Sequence, residues 1–128
     1  MKIRPYQEID FEQIQAMNRR EGWSQLVQQK ESTRQAWAHS NVAFVVEAEH
    51  EIVAYVRGLT DTAVSLYICE LLVTDSMRRS GLGTALLAHA HAHYPTTRLE
   101  LLANHASHTY YEQHHFRPFY GFRKTIQE

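Results

Sequence analysis

Apolar residues along this chain change period as it runs. Phe11, Ile14 and Met17 recur at helical spacing, which predicts a first helix with Asp10 as its N-cap. Ahead of it, Ile3 to Tyr6 reads as a short strand, and Pro5 confines that strand to an edge or a strand end. Glu21-Gly22-Trp23-Ser24 breaks the helix. Ser24 can cap a second helix carrying Leu26 and Val27, and Ser32 or Thr33 a third carrying Ala36 and Trp37. From Asn41 the pattern becomes that of strands. Val42 to Val46, Ile52 to Leu59 and Ala63 to Val73 are separated by polar breaks short enough for an antiparallel meander.

Thr74 to Gly83 then leads into a helix rich in Ala and Leu, which ends near Tyr94-Pro95. A strand from Arg98 to Leu102 follows, then a helix around Ser107 to His114, then strand material from Phe116 to Ile126. Strand, loop, helix and strand at this spacing form a βαβ unit, so strand 98–102 is expected parallel to strand 63–73. The fold class is α/β, a mixed and mostly antiparallel sheet with helices on both faces.

Composition narrows the functional classes. The chain has 128 residues, without repeats or a linker, so residues 1–128 are expected to form a single domain. Thirteen Lys+Arg against fourteen Asp+Glu leave a net charge of −1, which argues against gripping nucleic acid or an anionic membrane. A single cysteine, Cys69, rules out an internal disulfide and suits a reducing compartment. No apolar run approaches the ~20 residues of a membrane span, and no apolar signal core follows Met1-Lys2-Ile3-Arg4. A cytoplasmic protein is expected.

Arg78-Arg79-Ser80-Gly81-Leu82-Gly83-Thr84 lies between a strand and a helix. Two glycines two apart let a backbone pass close to a ligand, and the helix behind them presents unpaired N–H groups that favour phosphate. The loop is neither of two common phosphate motifs. No Gly-Lys-Ser/Thr follows, and the third small residue of a dinucleotide fingerprint is replaced by Leu86.

What remains, Arg78-x-x-Gly81-x-Gly83 after a strand ending in Val73, resembles the coenzyme A loop of the GNAT acetyltransferases. A second segment agrees. Asn104, Ser107-His108-Thr109-Tyr110-Tyr111-Glu112 and Phe116 are similar to that family's Asn…Ala-His-x-Phe-Tyr-Glu-x-x-Gly-Phe. Ser107 stands where Ala is usual, Tyr110 where Phe is usual and His115 where Gly is usual.

The resemblance implies a central pair of parallel strands that splay apart and receive the pantetheine arm of acetyl-CoA, the cosubstrate. Backbone groups near Leu71, Leu72 and Val73 are expected to pair with that arm. Arg78, Arg79, Ser80, Gly81, Leu82, Gly83 and Thr84 would hold the pyrophosphate, with Asn104, Ser107 and His108 near the coenzyme. A Cβ at Gly83 is expected to meet the pyrophosphate or strain the turn. The resemblance also places Tyr111 as general acid toward the leaving thiolate.

Glu70, a carboxylate inside an otherwise apolar strand, is the better candidate for a base. Glu100, between Leu99 and Leu101, fits a solvent-facing position equally well, and a water chain would serve in place of either carboxylate. Glu21, Trp23 and Asp61 are candidates on the acceptor side, where acids and an aromatic ring would receive a cationic amine. The expected reaction is acetyl transfer to a primary amine of a small molecule or protein. The alternative is a CoA- or acyl-CoA-binding regulatory module without turnover.

The aromatic residues of Phe116 to Ile126 suit either a homodimer contact or a packed last strand. Of nine histidines, His89 and His93 stand at i, i+4, but no Cys pair or His-Glu-x-x-His pattern accompanies them, and no metal site is expected.

Overall fold

In the computed structural model, which describes residues 1–128, alternation along the strands divides the apolar residues between two layers. Strands β1 (Lys2–Pro5), β2 (Val42–Ala48), β3 (Glu51–Thr60), β4 (Ser65–Val73) and β5 (Arg98–Leu101) form one sheet in the order β1-β2-β3-β4-β5. The first four run antiparallel, and β4 and β5 are parallel. Helices α1 (Phe11–Glu21), α2 (Ser24–Gln28) and α3 (Lys30–His39) precede β2, α4 (Leu82–His93) crosses from β4 to β5, and α5 (His108–Gln113) follows β5.

One face buries Val45, Ile52, Tyr55 and Leu72 against Phe11, Ile14 and Met17 of α1 and Trp37 of α3. The other buries Phe44, Val46, Ala54, Val56, Leu66 and Ile68 under Leu86, Leu87 and Ala90 of α4. Two bulges adjust this alternation. The first, at Val46/Glu47, lets Val53 and Ala54 both serve the α4 side while Ile52 and Tyr55 serve the other. The second sets Arg57 opposite Glu70 and Gly58 opposite Ile68, so Cys69 is the extra residue. There the chains approach so closely that a Cβ on Gly58 would lie 2.5 Å from the Tyr67 carbonyl oxygen.

Several local expectations are corrected. Asp10 does not cap α1 with its side chain. Its carboxylate turns back to the Gln7 N–H and to Arg4, which satisfies a nearly buried charge. Trp23 occupies the N-cap position of α2, and Ser24 is its first residue. Helix α3 starts at Lys30, so Thr33 lies inside it, donating its hydroxyl to the Leu26 and Gln29 carbonyls.

The expected last strand is absent. Residues 116–125 form no helix or strand, with Phe119 83% and Tyr120 97% exposed. Pro118 lacks a donor and Gly121 weakens a ladder; at Gly121 the segment runs against Leu102, whose Cδ2 a Cβ would approach to 2.1 Å. The parallel pair therefore lies at one edge of the sheet rather than at its centre, because nothing pairs beyond β5.

Candidate active site

Strand β5 pairs with β4 only from Ser65↔Arg98 to Ile68↔Leu101, while β4 continues to Val73. From Cys69 to Val73 the β5 side of β4 has no strand partner, and an opening begins where the second bulge ends. Alternation sends Leu71 and Val73 toward α4 and Leu72 into the α1 side. Gly81, at φ 87°, turns the chain into α4, and the first intrahelical bond runs from the Ala85 N–H to the Gly81 carbonyl. The N–H groups of Leu82, Gly83 and Thr84 thus have no helical partner, and they stand beside the opening: a Cβ on Gly83 would lie 3.8 Å from both Leu71 Cδ2 and Val73 Cγ2. An anion at this helix end would meet both the free N–H groups and the helix dipole.

The two arginines of the loop differ. Arg78 donates Nε to the Val73 carbonyl at 3.0 Å, pairs Nη1 with Asp75 at 2.7 Å and pairs Nη2 with Glu21. Arg79, at φ 63°, makes no ion pair, so its charge is the uncommitted one. The Ser80 hydroxyl is spent on the Met77 carbonyl within the turn. Gly83 is not at positive φ, so the strain expected for a side chain there does not arise; Gly81 carries that constraint.

Helix α5 bounds the opening on its other side. Asn104 Oδ1 accepts from the Ala106 and Ser107 N–H groups and the Ser107 hydroxyl, which organises the turn into the helix. His108 is exposed and bonded through Nδ1 to Glu112 at 3.0 Å. Tyr111 is half-buried, packed edge-on against Phe116 and onto the α4-side core, and burial holds its phenol above the ordinary value. Tyr110 crosses instead to α4, with its hydroxyl 2.8 Å from Thr84 Oγ1.

Residues 9–116 match the family model described as Acetyltransferase (GNAT) family. The chain belongs to the GNAT acetyltransferases. Solved structures agree on the fold. A GNAT-family acetyltransferase of Streptococcus pneumoniae has a TM-score of 0.81 at 20% identity, covering 99% of this chain and 98% of that one. A GCN5-related N-acetyltransferase of Ralstonia eutropha has a TM-score of 0.74 at 21% identity, covering 99% of each chain. An aminoglycoside antibiotic 6'-N-acetyltransferase of Acinetobacter haemolyticus has a TM-score of 0.73 at 18% identity, covering 98% of this chain and 99% of that one. No curated protein matches the chain. No helix of this GNAT chain is long and apolar enough to cross a membrane.

On the α1 side of β4, Arg57 grips Glu70 through both carboxylate oxygens, each at 2.7 Å, and also reaches Ser40 Oγ at 3.1 Å. Arg57 was missed in the sequence, although a charge between Val56 and Gly58 in an apolar strand is the same signal that marked Glu70. Below this pair runs a buried polar chain. The Tyr55 hydroxyl donates to Asn18 Oδ1, Asn18 Nδ2 to Gln15 Oε1, and Gln15 Nε2 to the Leu26 carbonyl. Every buried side-chain polar atom finds a partner. This chain fixes α1 against α2, and so fixes the turn that holds Glu21 and the half-buried Trp23.

A cavity of about 60 Å³ lies at the end of β4, lined by Arg20, Glu21, Leu72, Thr74 and Asp75. A larger cleft lies at the opposite edge, between Tyr6, Trp37, Phe44 and His93, far from the glycine loop in the sheet order. Asp61 does not join the site. It lies in the β3–β4 turn at the other end of β4, where three N–H groups, from Ser65, Val64 and Ala63, hold its carboxyl at about 2. Glu100 is exposed on β5. His89 and His93 pack their rings around Phe44, and no three His, Cys, Asp or Glu side chains converge.

Proposed function

We propose that this protein transfers an acetyl group from acetyl-CoA to a primary amine by direct attack, with Tyr111 as general acid. The observation that carries the reading is the juxtaposition at the end of β4: an unpaired strand edge, opening beside a helix whose first N–H groups are free and whose second residue has no side chain.

Acetyl-CoA would supply the acetyl group as an activated thioester. The N–H groups of Leu82 to Thr84, with Arg79, hold the pyrophosphate charge. Main-chain groups between Cys69 and Leu72, on the edge of β4 that β5 leaves unpaired, would bond the pantetheine, and an N–H among them would polarise the acetyl carbonyl. As the new N–C bond forms and the C–S bond breaks, the Tyr111 phenol gives its proton to the departing sulfur. Burial keeps that phenol protonated through the neutral range, so the proton is present when needed. The amine proton leaves through water toward Glu70, whose carboxylate Arg57 fixes on the acceptor side.

Glu21, Glu70 and Asp75 offer carboxylate oxygens to a cationic amine, on a small molecule or on a protein, while Arg57, Arg78 and the cavity-lining Arg20 balance their charge. The Acinetobacter haemolyticus neighbour, named as an aminoglycoside antibiotic acetyltransferase, makes aminoglycosides a reasonable first group in a screen.

Isothermal titration with acetyl-CoA, against CoA and ATP, tests the reading. Micromolar binding of acetyl-CoA with little for ATP is expected, followed by turnover in an amine library. Binding without turnover on any amine would favour a regulatory module. No binding by the folded protein would remove the acetyltransferase reading.

A further inference from the structure

Tyr110 is where this chain departs from the segment it resembles, a phenol standing where that pattern has Phe. Neighbouring residues leave a helix about 100° apart, so Tyr110 and Tyr111 project in different directions from α5. Tyr111 descends onto Phe116 and the core. The Tyr110 ring stacks on His114, at 4.2 Å and 29°, and His114 Nδ1 lies 2.7 Å from the Tyr110 carbonyl oxygen. That stacking aims the hydroxyl at the first turn of α4.

The hydroxyl stands 2.8 Å from Thr84 Oγ1 and 3.2 Å from the point a Cβ on Gly83 would occupy. It therefore fills the space that the missing side chain of Gly83 leaves, on the first turn of α4, whose N–H groups have no helical partner. If Thr84 donates to the phenolic oxygen, the phenolic proton is free to be donated outward. A phenylalanine would occupy the same volume with no donor.

We infer that Tyr110 is a coenzyme-binding residue, which donates its phenolic O–H to a pyrophosphate oxygen at the first turn of α4 while Thr84 orients it. The inference rests on the acetyl-CoA reading of the site. It separates the two tyrosines: Tyr110 holds the cosubstrate and Tyr111 handles the proton. It also gives Gly83 a second task, which is to leave room for a hydroxyl from another helix.

The experiment is titration with desulfo-CoA, which carries the pyrophosphate and no reactive sulfur, on the wild type, Tyr110→Phe and Tyr111→Phe. A hydroxyl bond to a charged phosphate predicts roughly tenfold weaker binding for Tyr110→Phe, with Tyr111→Phe within about twofold of wild type. Melting temperatures of wild type and Tyr110→Phe should agree, since the ring is retained. In phosphorus NMR of the bound ligand, the pyrophosphate signals should differ between wild type and Tyr110→Phe while the 3'-phosphate signal stays put. Unchanged affinity in Tyr110→Phe overturns the inference. So does weaker binding accompanied by a lowered melting temperature and unmoved pyrophosphate signals, which would make the bond to Thr84 a structural tie only. Failure of the wild type itself to bind would instead strike the acetyl-CoA reading.

Discussion

Arg78 of the glycine loop and Glu21 at the end of α1, 57 residues apart, are joined by an ion pair. Asp75 holds a second nitrogen of the same guanidinium and the Val73 carbonyl a third. The loop that would receive a pyrophosphate is thus tied to the turn that would receive the amine, by a cation already bonded to two carboxylates.

Glu21→Gln tests that tie. Both side chains are partly exposed, so the melting free energy should change by no more than about 1 kcal/mol. With one competing carboxylate neutralised, desulfo-CoA should bind about two- to fivefold tighter at low salt, and the gain should fade as added salt screens the charge. Weaker binding in this variant would show that Glu21 supports the loop rather than competing for it.

The two loop glycines should respond in opposite ways. Gly81 sits at φ 87°, where a side chain is strained, so Gly81→Ala should destabilise the protein by about 1–2 kcal/mol. Gly83 has ordinary helical geometry, and Gly83→Ala should melt at or slightly above wild type, because alanine is the better helix former. Its Cβ would press on the Tyr110 hydroxyl at 3.2 Å, so coenzyme affinity should drop nonetheless. Calorimetry and titration on the two variants decide this; a Gly83→Ala protein that binds as wild type would remove the crowding argument.

Much of this was legible from residue order. Strands β2 to β4 were readable because alternation and short polar turns act locally, and the opening at β4 only through the family resemblance that Val73, Arg78, Gly81 and Gly83 carry. Arg57–Glu70 depends on a register that a bulge resets, and Tyr110–Thr84 on two helices meeting in space. Neither is written into a spacing. Asp10 fits a cap from its place before Phe11, but a half-buried arginine partner outweighs that local preference. The aromatic run after Phe116 has strand composition, yet Pro118 and Gly121 interrupt it, and the free edge of β5 stays unpaired.

Arg4 and Asp10 provide an acid-sensitive clamp between β1 and the start of α1. Arg4 donates Nη2 to Oδ1 at 2.8 Å and Nη1 to Oδ2 at 2.9 Å. Burial pushes the Asp10 carboxyl upward, but these bonds and the Gln7 N–H outweigh it, and its value falls below the ordinary one. The unfolded chain therefore takes up this proton first as pH falls. The stabilisation is complete above about pH 4 and is lost as pH drops through the lower folded value. Asp10→Asn should cost about 2 kcal/mol at pH 7 and give a shallower decline in acid, measured by urea melts from pH 7 to 2. An acid limb as steep as that of the wild type would assign the effect to other carboxylates.

The β2–β3 hairpin turns through Glu49 and His50, both at positive φ (50° and 69°). Two such residues in a two-residue loop are the geometry that Asn-Gly adopts with least strain. The double variant Glu49→Asn, His50→Gly should therefore be more stable by about 1 kcal/mol, a rise of several degrees in melting temperature with binding unchanged. An unchanged or lower melting temperature would contradict the assigned turn.

The polar chain that fixes α1 against α2 also settles what light can report. Both tryptophans, Trp23 and Trp37, lie on the α1 side of the sheet, and none stands beside the opening. Trp37 is buried and shielded, whereas Trp23 is half-buried and two residues from Glu21. Tryptophan fluorescence is therefore nearly blind to the glycine loop itself but responsive to whether that loop keeps hold of its neighbouring turn, which makes this protein its own optical gauge of communication between the two sides of the sheet.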